Sequence, residues 1–258
     1  MNVKNLETPS VQGKVSEAEW RVRVDLAASY RLSALFGWDD LVYTHISARV
    51  PDTEDQFLIN PFGLGFDEIT ASSLVKIDIN GDKVMDNPYP VNKAGFIIHG
   101  AIHEARHDAA CIVHLHTDYG IAVSALEEGL IPLSQSSIFP HASLAYHDYE
   151  GLAVREGEKK RLVADLGDKL NLILRNHGTL TLGASVASAF ENMYFLEKAC
   201  KTQILAMSTG RPLRQVDEES YRVSVESINQ IRKDFSDKMG PWPALLRRLN
   251  RLDDSYQL

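Results

Sequence analysis

The sequence predicts one large α/β domain that is followed by a helical extension at the C-terminus. Segments with the apolar spacing of helices alternate along the chain with short runs that are typical of strands. A length of 258 residues allows one large domain or two small ones, but no Pro-, Gly- or Ser-rich linker divides the chain. We therefore expect a flexible lead over residues 1–15, a body over 16–210 and the helical extension over 211–258.

The composition argues against several kinds of partner and location. A formal net charge of −8 is unfavourable for nucleic-acid binding, because nucleic-acid binders usually carry a basic stripe. The N-terminus lacks the apolar core of a signal peptide, and no segment has the length needed to span a membrane. Two cysteines, Cys111 and Cys200, are too few for a disulfide framework. We expect a cytoplasmic protein with reduced cysteines and neither a nucleic-acid nor a membrane partner.

The first elements are a helix and two strands. Ser16 and Glu19 have the spacing of a capping box, and the apolar stripe after them ends at Gly37. Residues 41–50 alternate in polarity, which predicts a strand that turns back into a second strand at 56–60. The loop that follows contains Gly63, which either lets the backbone approach a ligand or forms a simple turn. A third strand is expected at 74–79, before the hairpin-type turn Asn80-Gly81.

Three histidines share one face of the helix predicted over residues 95–106. His99, His103 and His107 are four residues apart, and this ligand spacing makes them a competing hypothesis for a metal site. His103 and His107 lie next to charged residues and are expected to be solvated. His99 has Ile98 and Gly100 as neighbours, so we expect it to face the core or a site.

A pair of histidines ends the most apolar strand of the sequence. His114 and His116 follow the run 109–113, which is short, apolar and typical of a buried strand. Side chains alternate along a strand, so the two imidazoles point the same way, about 6.6 Å apart, and can reach one metal ion. Such a pair alone fits polar lining at a strand end equally well.

A third histidine strengthens the metal hypothesis. His177 lies where a strand predicted over 170–174 meets a turn, before a returning strand at 179–183. Three neutral imidazoles with an open position are a common catalytic zinc arrangement, since they hold the ion and leave room for water or substrate.

The remaining segments are mostly helical. Residues 131–138 predict a strand that leads to a polar loop with His141, and 146–149 are also rich in groups capable of proton transfer. Glu191 and Glu197 of the helix expected over 184–208 could reach a metal, although solvated helix carboxylates are commoner. The apolar and basic stretch at 241–249 is expected to dock on the body or on a neighbouring subunit. Further helices are predicted over 118–126, 155–167, 184–208 and 221–235.

The two histidine motifs resemble those of the class II aldolase/adducin family. They read Ile112-Val113-His114-Leu115-His116-Thr117 and Leu174-Arg175-Asn176-His177-Gly178-Thr179, and the order of elements is similar from about residue 16 to 210. The resemblance implies an α/β three-layer (α/β/α) sandwich whose central, mainly antiparallel sheet carries helices on both faces. It also implies that His114, His116 and His177 bind zinc or another divalent transition metal such as Mn. Members similar to this sequence usually form homo-oligomers, most often tetramers, with sites at subunit boundaries.

Departures from the sugar-phosphate aldolases of the family change the expected substrate. Their proton-carrying glutamate corresponds to Gly95, and the two serines before it, which bind phosphate, correspond to Lys93 and Ala94. Their phosphate loop has threonine where this chain has Phe62, and a tyrosine of theirs aligns near Gln135-Ser136. Glycine cannot transfer a proton, so neither the usual acid–base group nor a phosphorylated sugar is expected here.

These departures place the sequence near the adducin-like branch and leave two functions open. The first is a divalent-metal-dependent carbon–carbon lyase, of the aldolase or decarboxylase type, for a small unphosphorylated hydroxy-carbonyl or carboxylate substrate. His141 would then be the substitute acid–base group, or else an ordinary surface histidine, and Gly63 and Lys93 would contact the substrate. The second is an adducin-like interaction scaffold that keeps the metal site without catalysis. Three converging imidazoles favour the enzyme.

Overall fold

A mixed sheet forms the centre of the molecule. The computed structural model describes residues 8–151, 156–234 and 240–258. The strands within these ranges are β1 (His45–Arg49), β2 (Gln56–Ile59), β3 (Val75–Asp78), β4 (Cys111–Leu115), β5 (Leu144–His147), β6 (Asn171–Leu174) and β7 (Gly178–Gly183). They form one seven-stranded sheet in the order β3-β2-β1-β4-β7-β6-β5.

Strand direction brings several chain segments to one edge of this sheet. Neighbouring strands are antiparallel throughout, apart from the parallel pair of β5 and β6. It follows that β4, β5 and β6 all run the same way and end at the same edge, and that β1 begins there. Side chains at the ends of these strands therefore lie close together.

Helices cover both faces of the sheet. Those of the described ranges are α1 (Glu17–Leu35), α2 (Lys93–Ala105), α3 (Asp118–Ser124), α4 (Gln135–His141), α5 (Glu156–Leu166), α6 (Val186–Met207), α7 (Glu218–Asp234) and α8 (Trp242–Leu252). One core lies between the sheet and α1, α6 and α8, and a second lies between the sheet and α2 and α5. The predicted α/β three-layer sandwich, with a mainly antiparallel sheet, is confirmed.

The alternation of side chains along β4 places His114 on the face of the sheet that α2 and α5 cover. Val113 packs in the core with α1 and α6, whereas Ile112 packs with Ile102 of α2. Since successive side chains point to opposite faces, His114 points toward α2 with Ile112. The hydrophobic pattern of this buried strand thus decides which helices surround its imidazole.

The strand expected over residues 41–50 is wrong in its first half. Only His45–Arg49 pairs as β1. Leu41 and Thr44 have φ values of 53° and 67°, in the left-handed region, and Asp40 pairs with Tyr43 across a tight turn. Polarity alternates through this turn as it does through the strand, so the pattern alone did not separate the two.

The strand expected over residues 131–138 is also wrong, because a helix begins there. Ser134 caps α4: its hydroxyl accepts the Ser137 backbone N–H, and the Ser137 hydroxyl satisfies the Ser134 backbone N–H in return. His141 is consequently the last residue of a helix and does not lie in a loop. The reciprocal serine cap satisfies backbone donors that a strand would have paired elsewhere.

Only the Ser16 half of the capping box predicted for α1 forms. Ser16 accepts the Glu19 backbone N–H, as expected. The Glu19 carboxylate instead pairs with Arg23 at 2.9 Å and with Lys76 of β3 at 2.8 Å, in a largely buried position. The charged group therefore ties the helix to the sheet and does not close a capping box.

The C-terminal helix docks on the body, which is one of the two alternatives that the sequence predicted. Trp242 and Leu249 of α8 are buried in the core with α1 and α6. The Trp242 indole N–H also donates to Asp25 of α1, at 3.1 Å. Among the described helices, none combines the length and the apolar composition needed to cross a membrane.

Candidate metal centre

Three histidines meet at the sheet edge where β4 and β6 end. His114 is the fourth of the five residues of β4, His116 comes directly after that strand, and His177 lies in the turn between β6 and β7. Asn176 takes a left-handed φ of 54° in this turn, which a short polar side chain tolerates. The fold thus brings together the three residues that the sequence predicted as metal ligands.

A glycine allows the two motifs to approach each other. A Cβ atom on Gly178 would lie 2.6 Å from the carbonyl oxygen of Leu115 and 3.1 Å from the His116 ring. Any side chain at this position would therefore push the turn away from β4. The close packing of the two histidine motifs therefore requires glycine at position 178.

The three imidazoles face a common point. One ligand-type nitrogen from each of His114, His116 and His177 lies within 4.8 Å of the others. The ring centroids are 4.9, 4.9 and 4.8 Å apart. In the part of the chain that the structure describes, this is the one group of three or more metal-ligand side chains with such spacing.

Hydrogen bonds fix which nitrogen of two imidazoles faces that point. The Nδ1 atom of His114 lies 3.0 Å from the Thr179 carbonyl oxygen, and Nδ1 of His116 lies 3.0 Å from the Asp40 carboxylate. Both partners only accept, so each Nδ1 carries the hydrogen and each Nε2 has a free lone pair. Orienting partners of this kind are typical of metal-binding histidines.

The surroundings of His114 and His177 keep these two imidazoles neutral. Burial, followed by the nearby His177 and His116, lowers the pKa of His114 well below its usual value. Burial and the neighbouring His116 lower the pKa of His177 to about 4. A metal ion binds the neutral form of imidazole, so at neutral pH these two side chains are ready to coordinate without releasing a proton.

The residues present fit a divalent transition metal. The Nε2 atom of His116 is buried and has no hydrogen-bond partner, which is costly unless something binds it. Three nitrogen donors without a carboxylate or thiolate in the same cluster suit zinc, which accepts three imidazoles and an open position. His114, His116 and His177 would hold the ion.

A second group of imidazoles lies behind His114 in the α2 layer. The Ser47 hydroxyl is 2.7 Å from Nδ1 of His99 and 2.8 Å from Nε2 of His103, and both histidines are fully buried. The expectation for His99 is confirmed, whereas the expectation that His103 is solvated is wrong. Phe57 stacks on the His103 ring, and Ser47 supplies the polar partner that solvent would otherwise provide. A metal ion is not needed to explain this pair.

Another buried histidine ends β5 at the same edge of the sheet. Nδ1 of His147 lies 2.7 Å from the Asp165 carboxylate of α5, and its Nε2 has no hydrogen-bond partner. Leu174, which pairs with His147 in the parallel register of β5 and β6, is followed after two residues by His177. His147 and His177 line the same small pocket.

The other predicted site residues lie elsewhere or are only partly described. His141 precedes β5, at the edge opposite His147, and its Nδ1 lies 2.8 Å from the Tyr221 hydroxyl of α7. Within one chain it does not join the triad. Gly63 has a φ of 103° and an open surface around it. The side chain of Lys93 lies outside the described residues, and Lys93 begins α2.

Glu197 is neither a solvated carboxylate nor a member of the metal cluster. It is 4% exposed and accepts a hydrogen bond from the hydroxyl of Thr117, the residue that caps α3 directly after His116. Burial raises the pKa of its carboxyl to about 7. Through Thr117, the Glu197 side chain therefore supports the segment that directly follows His116.

Comparison with known proteins agrees with this arrangement. The profile of the family described as "Class II Aldolase and Adducin N-terminal domain" matches residues 24–204. The chain belongs to this family. The class II aldolase/adducin match includes both histidine motifs and ends within α6.

Relatives within the class II aldolase/adducin family include proteins with and without an aldolase name. A Caulobacter vibrioides protein named for aldolase class 2 is 52% identical over 97% of each chain. Rat alpha-adducin is 43% identical over 92% of this chain, which corresponds to 34% of the adducin. A crystal structure of an aldolase II superfamily protein from Pseudomonas syringae has a TM-score of 0.91, with 50% identity, and covers 97% of this chain and 100% of that chain. An L-fuculose 1-phosphate aldolase from Glaciozyma antarctica has a TM-score of 0.80 at 28% identity, covering 98% and 96%.

Sequence reasoning missed the residues that orient the triad. Asp40 contacts His116 across 76 positions, and Thr179 contacts His114 across 65. One of these partners is a carbonyl, which leaves no signal in the side-chain sequence. The segment 146–149, which is rich in groups capable of proton transfer, contains His147, whereas the acid–base candidate of the sequence is His141.

Proposed function

We propose that the protein is a divalent-metal-dependent carbon–carbon lyase for a small, unphosphorylated hydroxy-carbonyl or carboxylate substrate. The observation that carries the proposal is the triad of His114, His116 and His177, whose nitrogens lie within 4.8 Å of one another. The hydrogen bonds at Nδ1 of His114 and Nδ1 of His116 leave Nε2 of each ring free to bind an ion. An interaction surface alone does not require three convergent imidazoles with this orientation.

Zinc is the metal we propose, with manganese or a similar divalent ion as the alternative. Three imidazole ligands suit zinc better than hard cations, which prefer carboxylate and water oxygens. When bound, the ion would supply Lewis-acid chemistry, which would polarise a carbonyl of the substrate. The chain's own histidines orient and hold it, and the Asp40 and Thr179 contacts keep two of them in place.

An unphosphorylated substrate is supported by the residues that replace the phosphate-binding groups of the family's aldolases. Phe62 and Lys93 stand where those enzymes have threonine and serine, and Gly95 stands in place of the proton-carrying glutamate. We propose that Gly63, whose open backbone lets a ligand approach closely, and Lys93 bind the substrate. His141 remains a proposed acid–base group, which a neighbouring subunit would have to contribute.

We further propose that the protein is a cytoplasmic homo-oligomer, specifically a tetramer, and that it acts on a small molecule. Such assemblies with sites at subunit boundaries are usual in the class II aldolase/adducin family. A boundary site would also give the second face that the triad needs to enclose a substrate. Nucleic acid and membranes are not proposed as partners, since the net charge of −8 disfavours an anionic surface.

Metal content tests the proposal directly. We expect about one equivalent of zinc or another transition metal per chain in native protein by elemental analysis, and none in a His114→Ala/His116→Ala variant. His107→Ala, at an exposed position, is the matched control and should keep the metal. Native protein that carries no metal, and binds none when zinc is offered, would refute the site.

A non-catalytic scaffold is the second candidate function. It is supported by the 43% identity to rat alpha-adducin and by Gly95, which removes the usual proton carrier. The two candidates differ in what the triad does. A lyase loses turnover when His114 is replaced by Ala, whereas a scaffold loses at most stability or assembly.

A further inference from the structure

A small pocket, with room for about one water-sized group such as a hydroxyl, lies beside His177. Its lining includes His147 from β5, Glu158 from α5 and His177 itself. The pocket lies at the edge where β4, β5 and β6 end, so it adjoins the triad through His177. Among its other polar groups, only those of the segment 146–149 were noted in the sequence, as groups capable of proton transfer.

Asp165 determines how His147 faces this pocket. The carboxylate lies 2.7 Å from Nδ1 of the buried imidazole, and Asp165 itself is 45% exposed. Because the carboxylate accepts, Nδ1 carries the hydrogen, and Nε2 of the neutral ring presents a lone pair. A carboxylate behind the imidazole is the arrangement that orients a general base and stabilises its protonated form.

Two buried acceptors in the pocket have no partner. Nε2 of His147 and Oε2 of Glu158 form no hydrogen bond within the described residues, and both side chains are more than nine-tenths buried. An unpaired buried acceptor is rare in folded proteins because burial removes the water that would satisfy it. Two such acceptors in one pocket point to a ligand that brings hydrogen-bond donors.

We infer that His147, positioned by Asp165, is the proton carrier of the adjoining metal site and takes the place of the glutamate that Gly95 cannot supply. The inference rests on the proposed lyase function. Its substrate class is a small hydroxyketone, whose hydroxyl hydrogen bonds to Oε2 of Glu158. His147 touches the substrate and transfers the proton, and Asp165 is a positioning residue.

The proton balance of the step needs no additional reagent. Nε2 of His147 accepts the proton from the carbon beside the carbonyl; the C–H bond breaks, and its electron pair moves into the enediolate. The enediolate carbon then forms a bond to an aldehyde carbon. The aldehyde oxygen takes the proton back from Nε2, which restores the neutral imidazole. Cleavage is the same sequence in reverse.

Topology separates His147 from the acid–base candidate of the sequence. His147 ends β5 and His141 lies before it, so the two histidines lie at opposite edges of the sheet. The edge of His147 is also that of His177, since β5 and β6 are parallel. A proton carrier of the same chain must lie at this edge.

Hydrogen exchange tests the inference. Zinc-loaded full-length protein is incubated in D₂O with hydroxyacetone or dihydroxyacetone, and loss of the C–H signal is followed by proton NMR. We expect exchange by the wild type and a loss of about 100-fold or more in His147→Asn, with unchanged zinc content. His107→Asn, at an exposed position, should stay within about twofold.

The outcomes separate this inference from the lyase proposal. Exchange that survives in His147→Asn at near wild-type rate overturns the role of His147 and leaves the lyase standing. A zinc-loaded wild type that exchanges neither hydroxyketone overturns the inference but not the lyase proposal, which also covers carboxylate substrates. Native protein that binds no metal overturns both.

A spectroscopic measurement covers the case in which His147→Asn does not fold. In wild-type protein with ¹⁵N-labelled histidine, we expect a His147 ring with hydrogen on Nδ1 and a bare Nε2. Asp165→Ala, at a half-exposed position, should mix the two tautomers and slow exchange while zinc content stays the same. A His147 ring that carries its hydrogen on Nε2 in the wild type overturns the inference.

Discussion

Ser47 shows how one hydroxyl sets the protonation of two buried histidines. Nδ1 of His103 lies 3.2 Å from the Ala109 carbonyl oxygen, so it carries the hydrogen. Burial lowers the pKa of His103 to about 3, and its neutral ring therefore accepts the Ser47 hydroxyl hydrogen at Nε2. The serine oxygen then accepts the Nδ1 hydrogen of His99. This chain of hydrogen bonds leaves Nε2 of His99 with a lone pair and no partner. The His99 ring lies 5.9 Å from the ring of His45 and 6.5 Å from that of His114.

Ser47→Ala should destabilise the protein through these two histidines. It removes the partner of a buried donor and of a buried acceptor at once, and each lost partner costs about 1–3 kcal/mol. We expect the free energy of unfolding, measured with urea, to fall by about 2–6 kcal/mol. Ser208→Ala is the control, since its hydroxyl is exposed and bonds only to the Leu205 carbonyl. A loss at Ser47 as small as that of the control would mean that the imidazoles find other partners.

Glu197 should make the stability depend on pH. Its pKa is about 7 in the folded chain and about 4.5 in the unfolded chain, so the folded state holds the proton more tightly. The stabilisation is complete below pH 4.5 and disappears as pH rises through 7. Glu197→Gln removes this loss, and the variant should exceed the wild type by up to about 3 kcal/mol at pH 8.

Urea unfolding of the wild type and of Glu197→Gln, each at pH 5 and at pH 8, checks this prediction. At pH 5 the wild-type carboxyl is mostly protonated, and the two proteins should differ little. An equal gap at both pH values would show that the hydrogen bond from Thr117, and not the ionisation of Glu197, decides the stability.

Residue types and spacing were sufficient to predict which three histidines converge, but not the residues that hold their rings in place. His114 and His116 share a strand face, and His177 ends a strand of its own, so local pattern carries the information. The contact of His116 with Asp40 depends on a turn with left-handed residues. That turn has no strong sequence signature, and the contact could not be predicted before the fold was known.

At the scale of elements, the prediction succeeded where one pattern dominated and failed where two competed. The strand 109–113 is continuously apolar, and β4 forms there. Residues 131–138 combine apolar residues with serines, and the Ser134 cap decides for helix α4. The parallel pairing of β5 and β6 had no local signal, yet it brings His147 to the edge of His177.

Two side chains of α8 are buried against the body, and Trp242 is the larger of them. Trp242 is buried 5.7 Å from the Phe190 ring of α6 and donates a hydrogen bond to Asp25 of α1. Trp242→Ala leaves a large cavity and should cost about 3–5 kcal/mol in urea unfolding. The C-terminal helix should also become accessible to limited proteolysis.

The last residue of the same helix supplies the control. Leu252 is 62% exposed, and Leu252→Ala should change the free energy of unfolding by less than about 0.5 kcal/mol. If Trp242→Ala were equally mild, α8 would be loosely attached, and its docking would contribute little to the stability of the body.

For the molecule as a whole, the sheet order explains why distant motifs converge. Antiparallel pairing of β4 with β7 and of β7 with β6 makes β4 and β6 parallel in direction, with β7 between them. His116 and His177, 61 positions apart, therefore end at the same edge. The sequence predicted the strands, but this convergence requires their order, which only the fold supplies.

Zinc should stabilise the folded chain as a whole, because the triad exists only when the sheet edge is assembled. A ligand that binds the folded state alone stabilises it by RT ln(1 + [L]/Kd), which is about 4 kcal/mol at a thousandfold excess over Kd. For a domain of this size, that corresponds to a rise in Tm of roughly 8–16 °C. Calorimetry with increasing zinc should show the rise in wild-type protein after chelator treatment, and no rise in His114→Ala/His116→Ala. An equal rise in the double variant would place the zinc at other residues and would remove the main support for a metal centre at this edge.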